Sequence, residues 1–115
     1  MEKVSKDLSQ LKSEISTCHL DKTLKVIGGK WKLVILWHLS EQTLRFSELE
    51  KRISGITQKM LAQSLRELEN DSLVSRKVYA VIPPKVEYSI TKNGQSLGKV
   101  LKQLDDWGET LNEGV

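Results

Sequence analysis

Residues 55–74, GITQKMLAQSLRELENDSLV, constrain the chain more than any other stretch, because the helix they spell has two faces that want different partners. At roughly 100° per residue, Met60, Leu61, Ser64, Leu65 and Leu68 fall on one side, and Gln58, Lys59, Ala62, Gln63 and Arg66 on the other. The first side reads as a core face. The second holds amides, cations and a small residue with no acid, a donor-rich surface that suits a DNA major groove, where Arg66, Gln58 and Gln63 can fork to base edges. A merely solvated polar face has the same outline, so the flanking segments must decide.

A chain of 115 residues is most simply one domain with a single small core. Its 38% hydrophobic and 29% charged content is that of an ordinary globular protein. No apolar run approaches the about 18 residues a membrane span needs, and the first residues have neither an apolar signal core nor an Arg-rich transit character. The expected location is cytoplasmic. The single cysteine, Cys18, rules out an intramolecular disulfide and suits a reducing compartment. Net charge is only +3, but its distribution is uneven. Residues 51–85 hold seven cations against three acids, +4 locally, while the remainder has 11 against 12. Positive charge therefore gathers around the two-faced helix.

In chain order, Val4, Leu8, Leu11 and Ile15 recur at helical spacing and predict an N-terminal amphipathic helix over residues 1–17, whose stripe packs either within the domain or across a dimer. A second helical pattern, Leu20, Leu24, Val26 and Ile27, should stop at Gly28 and Gly29. Residues 30–39, KWKLVILWHL, are apolar enough to be the central buried helix. Residues 44–46 read as a short strand. Residues 47–50 read as a capping box, S-x-x-E, opening a short helix to about Ile53. Ser54 and Gly55 then turn the chain into the two-faced helix, so residues 47–71 have the helix-turn-helix order.

Two β-rich runs over residues 74–90 flank Pro83 and Pro84, which cannot donate to a ladder and belong in a hairpin loop. Alternation along the first run suits a half-buried strand, and a basic hairpin directly after a reading helix is a wing. Thr91 is a plausible N-cap for one last helix over residues 91–113. Leu97, Val100, Leu101, Leu104, Trp107 and Leu111 form a stripe there that is wide for a small domain and favours a partner subunit. The fold class expected is mostly α with a small β-hairpin wing: a winged helix-turn-helix with N- and C-terminal dimerisation helices.

Residues 18–39, 44–74 and 76–89 together resemble the HxlR-type winged-helix transcriptional regulators of bacteria. The resemblance rests on IGGKW at residues 27–31, RFSEL at 45–49, GITQKML at 55–61, LRELE at 65–69 and PPKVEYS at 83–89. It implies a homodimer on an inverted-repeat operator in double-stranded DNA, with Thr57, Gln58, Lys59, Gln63 and Arg66 in the major groove. Arg76, Lys77 and Lys85 would serve the wing, and Lys30 would hold phosphate at the start of its helix. Leu8, Leu11, Ile15, Leu97, Val100, Leu101, Leu104, Trp107 and Leu111 would form the dimer interface. Several members of the family sense oxidants or electrophiles at the position of Cys18, and a thiol in a first helical turn is favoured as thiolate. Here His19 replaces the proline that usually follows that cysteine, and Asp71-Ser72-Leu73 replaces the usual D-G-L, so Ser72 must end the helix without glycine's freedom.

Catalysis is not expected. His19 and His38 are separated by a core helix, no phosphate-cradling glycine loop follows a strand, and Cys18, His19 and His38 do not make a metal set. Neither a metal nor another cofactor is implied, although a small-molecule or electrophile effector fits a regulator. The remaining rival is a winged-helix interaction module that does not touch DNA. Such a module has no need to keep Lys59, Arg66, Arg76, Lys77 and Lys85 on one side.

Overall fold

The computed structural model describes residues 19–113. Helices α1 (His19–Ile27) and α2 (Lys32–Glu41) are followed by strand β1 (Leu44–Arg45), α3 (Phe46–Arg52) and α4 (Gln58–Asn70). Strands β2 (Val74–Tyr79) and β3 (Lys85–Ile90), the short α5 (Lys92–Gln95) and α6 (Gly98–Glu113) complete the order. Leu8, Leu11, Ile15 and Cys18 lie outside the described residues.

As its apolar density requires, α2 is the hub. It packs on α4, α6 and β3, and Ile35, Leu36 and Leu39 are buried against Leu49, Leu61, Leu65 and Leu68. The core face of α4 is as the periodicity predicts except at Met60, which is 40% exposed. Met60 stands in the first turn, beside the cleft lined by Gly28, Gly29 and Lys30, where the core no longer reaches it.

Three antiparallel strands run in the order β1-β3-β2. Leu44, Tyr88 and Arg76 stand in one register row, and Arg45, Glu87 and Lys77 in the next. Because neighbouring rows point to opposite faces, Arg76 shares the face of buried Leu44 whereas Lys77 shares that of Arg45. The half-buried pattern expected for β2 is not observed: Val74 is buried, Ser75 to Val78 are exposed, and only the root of the wing meets the core.

Local capping departs from the sequence pattern in two places. The N-cap of α3 is Arg45, not Ser47, and its backbone N–H donates to the Glu48 carboxylate at 2.7 Å. Phe46 therefore opens the helix instead of closing the strand. The last helix is not continuous either. Thr91 caps only α5, accepting from the Gly94 N–H at 3.0 Å, and a turn at Ser96 and Leu97 separates it from α6. A Cβ at Gly94 would collide with the Leu73 carbonyl and lie 2.6 Å from Ile90 Cγ1, so only glycine lets α5 sit this close to the sheet.

At the end of α4, the Leu73 N–H donates to the Leu68 carbonyl at 2.9 Å and the Ser72 N–H to that of Glu69 at 3.0 Å. This is a Schellman closure with Leu73 buried near Leu68. Ser72 occupies the left-handed position at φ 61°. Ser72→Gly should consequently raise unfolding stability by about 0.5–1 kcal/mol, since the left-handed cost exceeds the entropy glycine adds to the unfolded chain. Urea denaturation read by circular dichroism measures it.

Candidate nucleic-acid interface

The helix-turn-helix corner is built from apolar anchors on either side of a glycine. Ile53 and Ile56 are buried, and between them Gly55 takes φ 87°, a conformation that side chains resist. A Cβ at Gly55 would come 3.9 Å from the Trp31 ring, so Trp31 lies beside the turn. Lys30 Nζ sits 4.8 Å from the centroid of that same ring. Trp31 is the N-cap residue of α2, which puts Lys30 just ahead of the first helical turn and close to the corner.

Thr57 opens α4 as its N-cap, the hydroxyl oxygen accepting from the Met60 N–H at 3.1 Å. Among the described residues the hydroxyl hydrogen has no acceptor and can donate to another. No acid stands in the first turn of α4, so the positive end of its dipole is not neutralised and favours an anion. Gln58, Lys59, Gln63 and Arg66 are all exposed, and Ala62 is half-buried. The outward face predicted from the spacing is thus brought together on one surface.

The wing cations are divided. Arg76 lines a cleft with Arg66, Ala62, Glu69 and Tyr88, joining α4 to the root of the wing. Lys77 and Lys85 lie on the opposite face, each with Nζ 4.9 Å from the centroid of the Tyr79 ring. The Tyr79 hydroxyl donates to Glu87 at 2.8 Å, and Lys85 pairs with Glu87 at 3.4 Å. Those bonds, with Tyr79 the strongest, hold the Glu87 carboxyl below its ordinary range. Ile82 at the loop is fully exposed, and Val78 and Val81 are exposed near it, giving the wing an apolar tip.

Of the stripe assigned to dimerisation, Leu101 is only 5% exposed and belongs to the core of its own chain, while Leu97 packs half-buried against that core. Their spacing serves the core of their own chain before any partner. Val100, Leu104, Trp107 and Leu111 remain exposed along α6. Leu104 and Leu101 line a shallow apolar groove with Leu33, Val34 and Trp37 of α2.

Lys32 and Glu67 are the polar pair that sequence reading does not anticipate. Lys32 looks like one more cation at the edge of an apolar run, yet it is buried, donates to the Val26 carbonyl at 3.2 Å and pairs with Glu67 at 2.8 Å. Gln63 donates to the other Glu67 oxygen at 3.1 Å. The Lys32 hydrogen bond, followed by that from Gln63, lowers the Glu67 pKa from its ordinary 4.5. A lowered carboxyl pKa adds stability that is present above the unfolded value and lost as pH falls through the folded one. The margin in melting temperature of wild type over Glu67→Gln should therefore be full at neutral pH and close as the pH drops below 4.5. Thermal melts across a pH series test this.

No group of His, Cys, Asp and Glu among the described residues could hold a metal, and none of their helices is long and apolar enough to cross a membrane. The family model described as HxlR-like helix-turn-helix matches residues 26–114. YkvN of Bacillus subtilis strain 168, an uncharacterized HTH-type transcriptional regulator, is 53% identical over 92 residues, 80% of this chain and 78% of its own. The solved redox regulator HypR in its oxidized form superposes with a TM-score of 0.78 at 46% identity, covering 81% of this chain and 96% of that one. Its reduced form gives a TM-score of 0.79 at 42% identity over 85% of this chain and all of that one. With the corner, the reading face and the wing all in place, the chain belongs to the HxlR family of winged helix-turn-helix transcriptional regulators.

Proposed function

We propose that this regulator binds an inverted-repeat operator as a homodimer, laying α4 in the major groove of each half-site. One observation carries the reading: Gln58, Lys59, Gln63 and Arg66 are exposed on a helix face whose first turn holds no acid and whose far side borders Arg76. Residues 47–71 act as the helix-turn-helix and residues 74–90 as the wing. Thr57, Gln58, Lys59, Gln63 and Arg66 make the groove contacts, and Lys30, Arg76, Lys77 and Lys85 serve phosphates. Residues 91–113 and 1–17 supply the dimer contact. Val100, Leu104, Trp107 and Leu111 of α6 are left exposed by the other described residues, which supports a second copy against them, with Leu8, Leu11 and Ile15 on the N-terminal stripe. Leu97 and Leu101 then contribute from beneath.

A redox switch at Cys18 is the second reading, favoured by the 46% identity to HypR, a redox regulator. A small-molecule or electrophile effector acting at the same thiol belongs to this reading.

Selection from random-sequence DNA followed by titration at two salt concentrations tests the first reading. A palindromic site should emerge, with log-affinity falling against log-salt by roughly 0.9 per neutralised phosphate, and Arg76→Ala, which removes one such contact from each half-site, should reduce that slope by about 1.8. Failure to select any site would overturn it. Repeating the titration after diamide tests the second: loss or gain of the complex in wild type, absent in Cys18→Ser, supports the switch, and indifference to oxidant discards it.

A further inference from the structure

A single hydrogen-bonded chain runs from the interior of the molecule to the outer face of α4. Lys32 Nζ, on a residue only 9% exposed, donates to the Val26 carbonyl at the end of α1 and to Glu67 Oε1. Glu67 Oε2 receives the Gln63 amide nitrogen at 3.1 Å. The chemistry of these groups leaves each no choice of direction. An ammonium only donates, so it commits one oxygen of Glu67. A carboxylate only accepts, so its second oxygen can take nothing from Gln63 but an N–H. The Gln63 amide must therefore turn its nitrogen inward along the helix, one turn from Glu67, and leave its oxygen and its second N–H for solvent or ligand.

That leaves one acceptor beside one donor. In the major groove adenine offers a donor at N6 beside an acceptor at N7, whereas guanine offers two acceptors, and cytosine and thymine no such fork. We propose that Lys32 and Glu67 are positioning residues that fix the Gln63 amide in the orientation that reads adenine. The proposal rests on the placement of α4 in the major groove. Arg66, three residues on and without an acceptor of its own, is left to the acceptor pairs of guanine. The sequence preference of the helix is thus set partly by a buried lysine that never approaches DNA.

Glu67→Gln is the discriminating change, because it keeps the shape and inverts the logic. Lys32 holds the one oxygen that remains, so the new amide turns its nitrogen toward Gln63, and Gln63 must answer with its own oxygen. Its nitrogen then faces outward, and because the oxygen keeps a second lone pair, donor and acceptor exchange places on the outer edge.

The experiment compares sites selected from random duplex DNA by wild type, Gln63→Ala and Glu67→Gln, and then measures affinity for sites differing at the one base pair that Gln63→Ala renders indifferent. Wild type should prefer adenine there by about tenfold. In Glu67→Gln that preference should disappear, because N6 then meets a donor and N7 an acceptor, and Lys32→Met should relax the preference only in part. A purely structural role for Glu67 would weaken binding to all these sites alike and leave their ratio unchanged, which would overturn the proposal. So would a base other than adenine at the Gln63-dependent pair. Should wild type select no site at all, the groove placement of α4 falls first and the proposal with it.

Discussion

Arg66→Ala will cost about 1–3 kcal/mol of operator affinity per half-site, about fivefold to more than a hundredfold, while binding to unrelated DNA weakens far less. Arg66 is exposed on the outward face of α4, one turn beyond Gln63, and lines the cleft to Arg76. Its planar guanidinium offers a rigid fork of donors matched to the paired acceptors of guanine. Alanine removes both hydrogen bonds, and water cannot restore their geometry at a base edge. Arg66→Lys separates charge from shape: it keeps the attraction to phosphate and should return most of the lost non-specific affinity, yet it recovers little discrimination. Fluorescence anisotropy with a selected operator and a scrambled duplex, titrated at one salt concentration, measures both. Equal losses on the two duplexes would place Arg66 on the phosphates instead.

Much of this surface can be read in the sequence because its determinants are local. Helical spacing alone assigns Gln58, Lys59, Gln63 and Arg66 to one face, and Gly55 marks the turn because its φ of 87° excludes most other residues. What escapes is what depends on distant partners. Lys32 lies 35 positions from Glu67, and nothing near it in the chain distinguishes a buried, paired cation from a solvated one. The break between α5 and α6 is hidden for a related reason. Leu97 and Leu101 keep helical spacing across it, so the periodicity runs on where the backbone does not. The split of the wing is legible in principle, since Arg76 and Lys77 are adjacent and must face opposite ways. Only the register with Tyr88 and Glu87 says which of them joins the recognition helix.

Leu61→Ala should lower the unfolding free energy by about 2–5 kcal/mol, a large share of the about 5–15 kcal/mol that holds an ordinary domain together. Leu61 is fully buried in the first turns of α4, in the core cluster with Ile35, Leu36 and Leu65 of α2 and α4. Truncation leaves a void that these side chains, themselves fixed on two rigid helices, close only in part. The same helix carries Gln58, Lys59 and Arg66 on its opposite side, so what loosens its seat in the core also loosens the surface offered to DNA. Urea denaturation gives the free-energy loss, and operator titration below the new midpoint shows whether binding falls with it. Leu104→Ala supplies the contrast, for Leu104 lies half exposed on α6 and its removal opens no interior void. Its cost should appear only as a melting temperature that rises with protein concentration less steeply than in wild type, because the contact it would weaken in the proposed homodimer is between chains. A Leu61→Ala loss that matched Leu104→Ala in size would mean that the core does not seat α4 through Leu61.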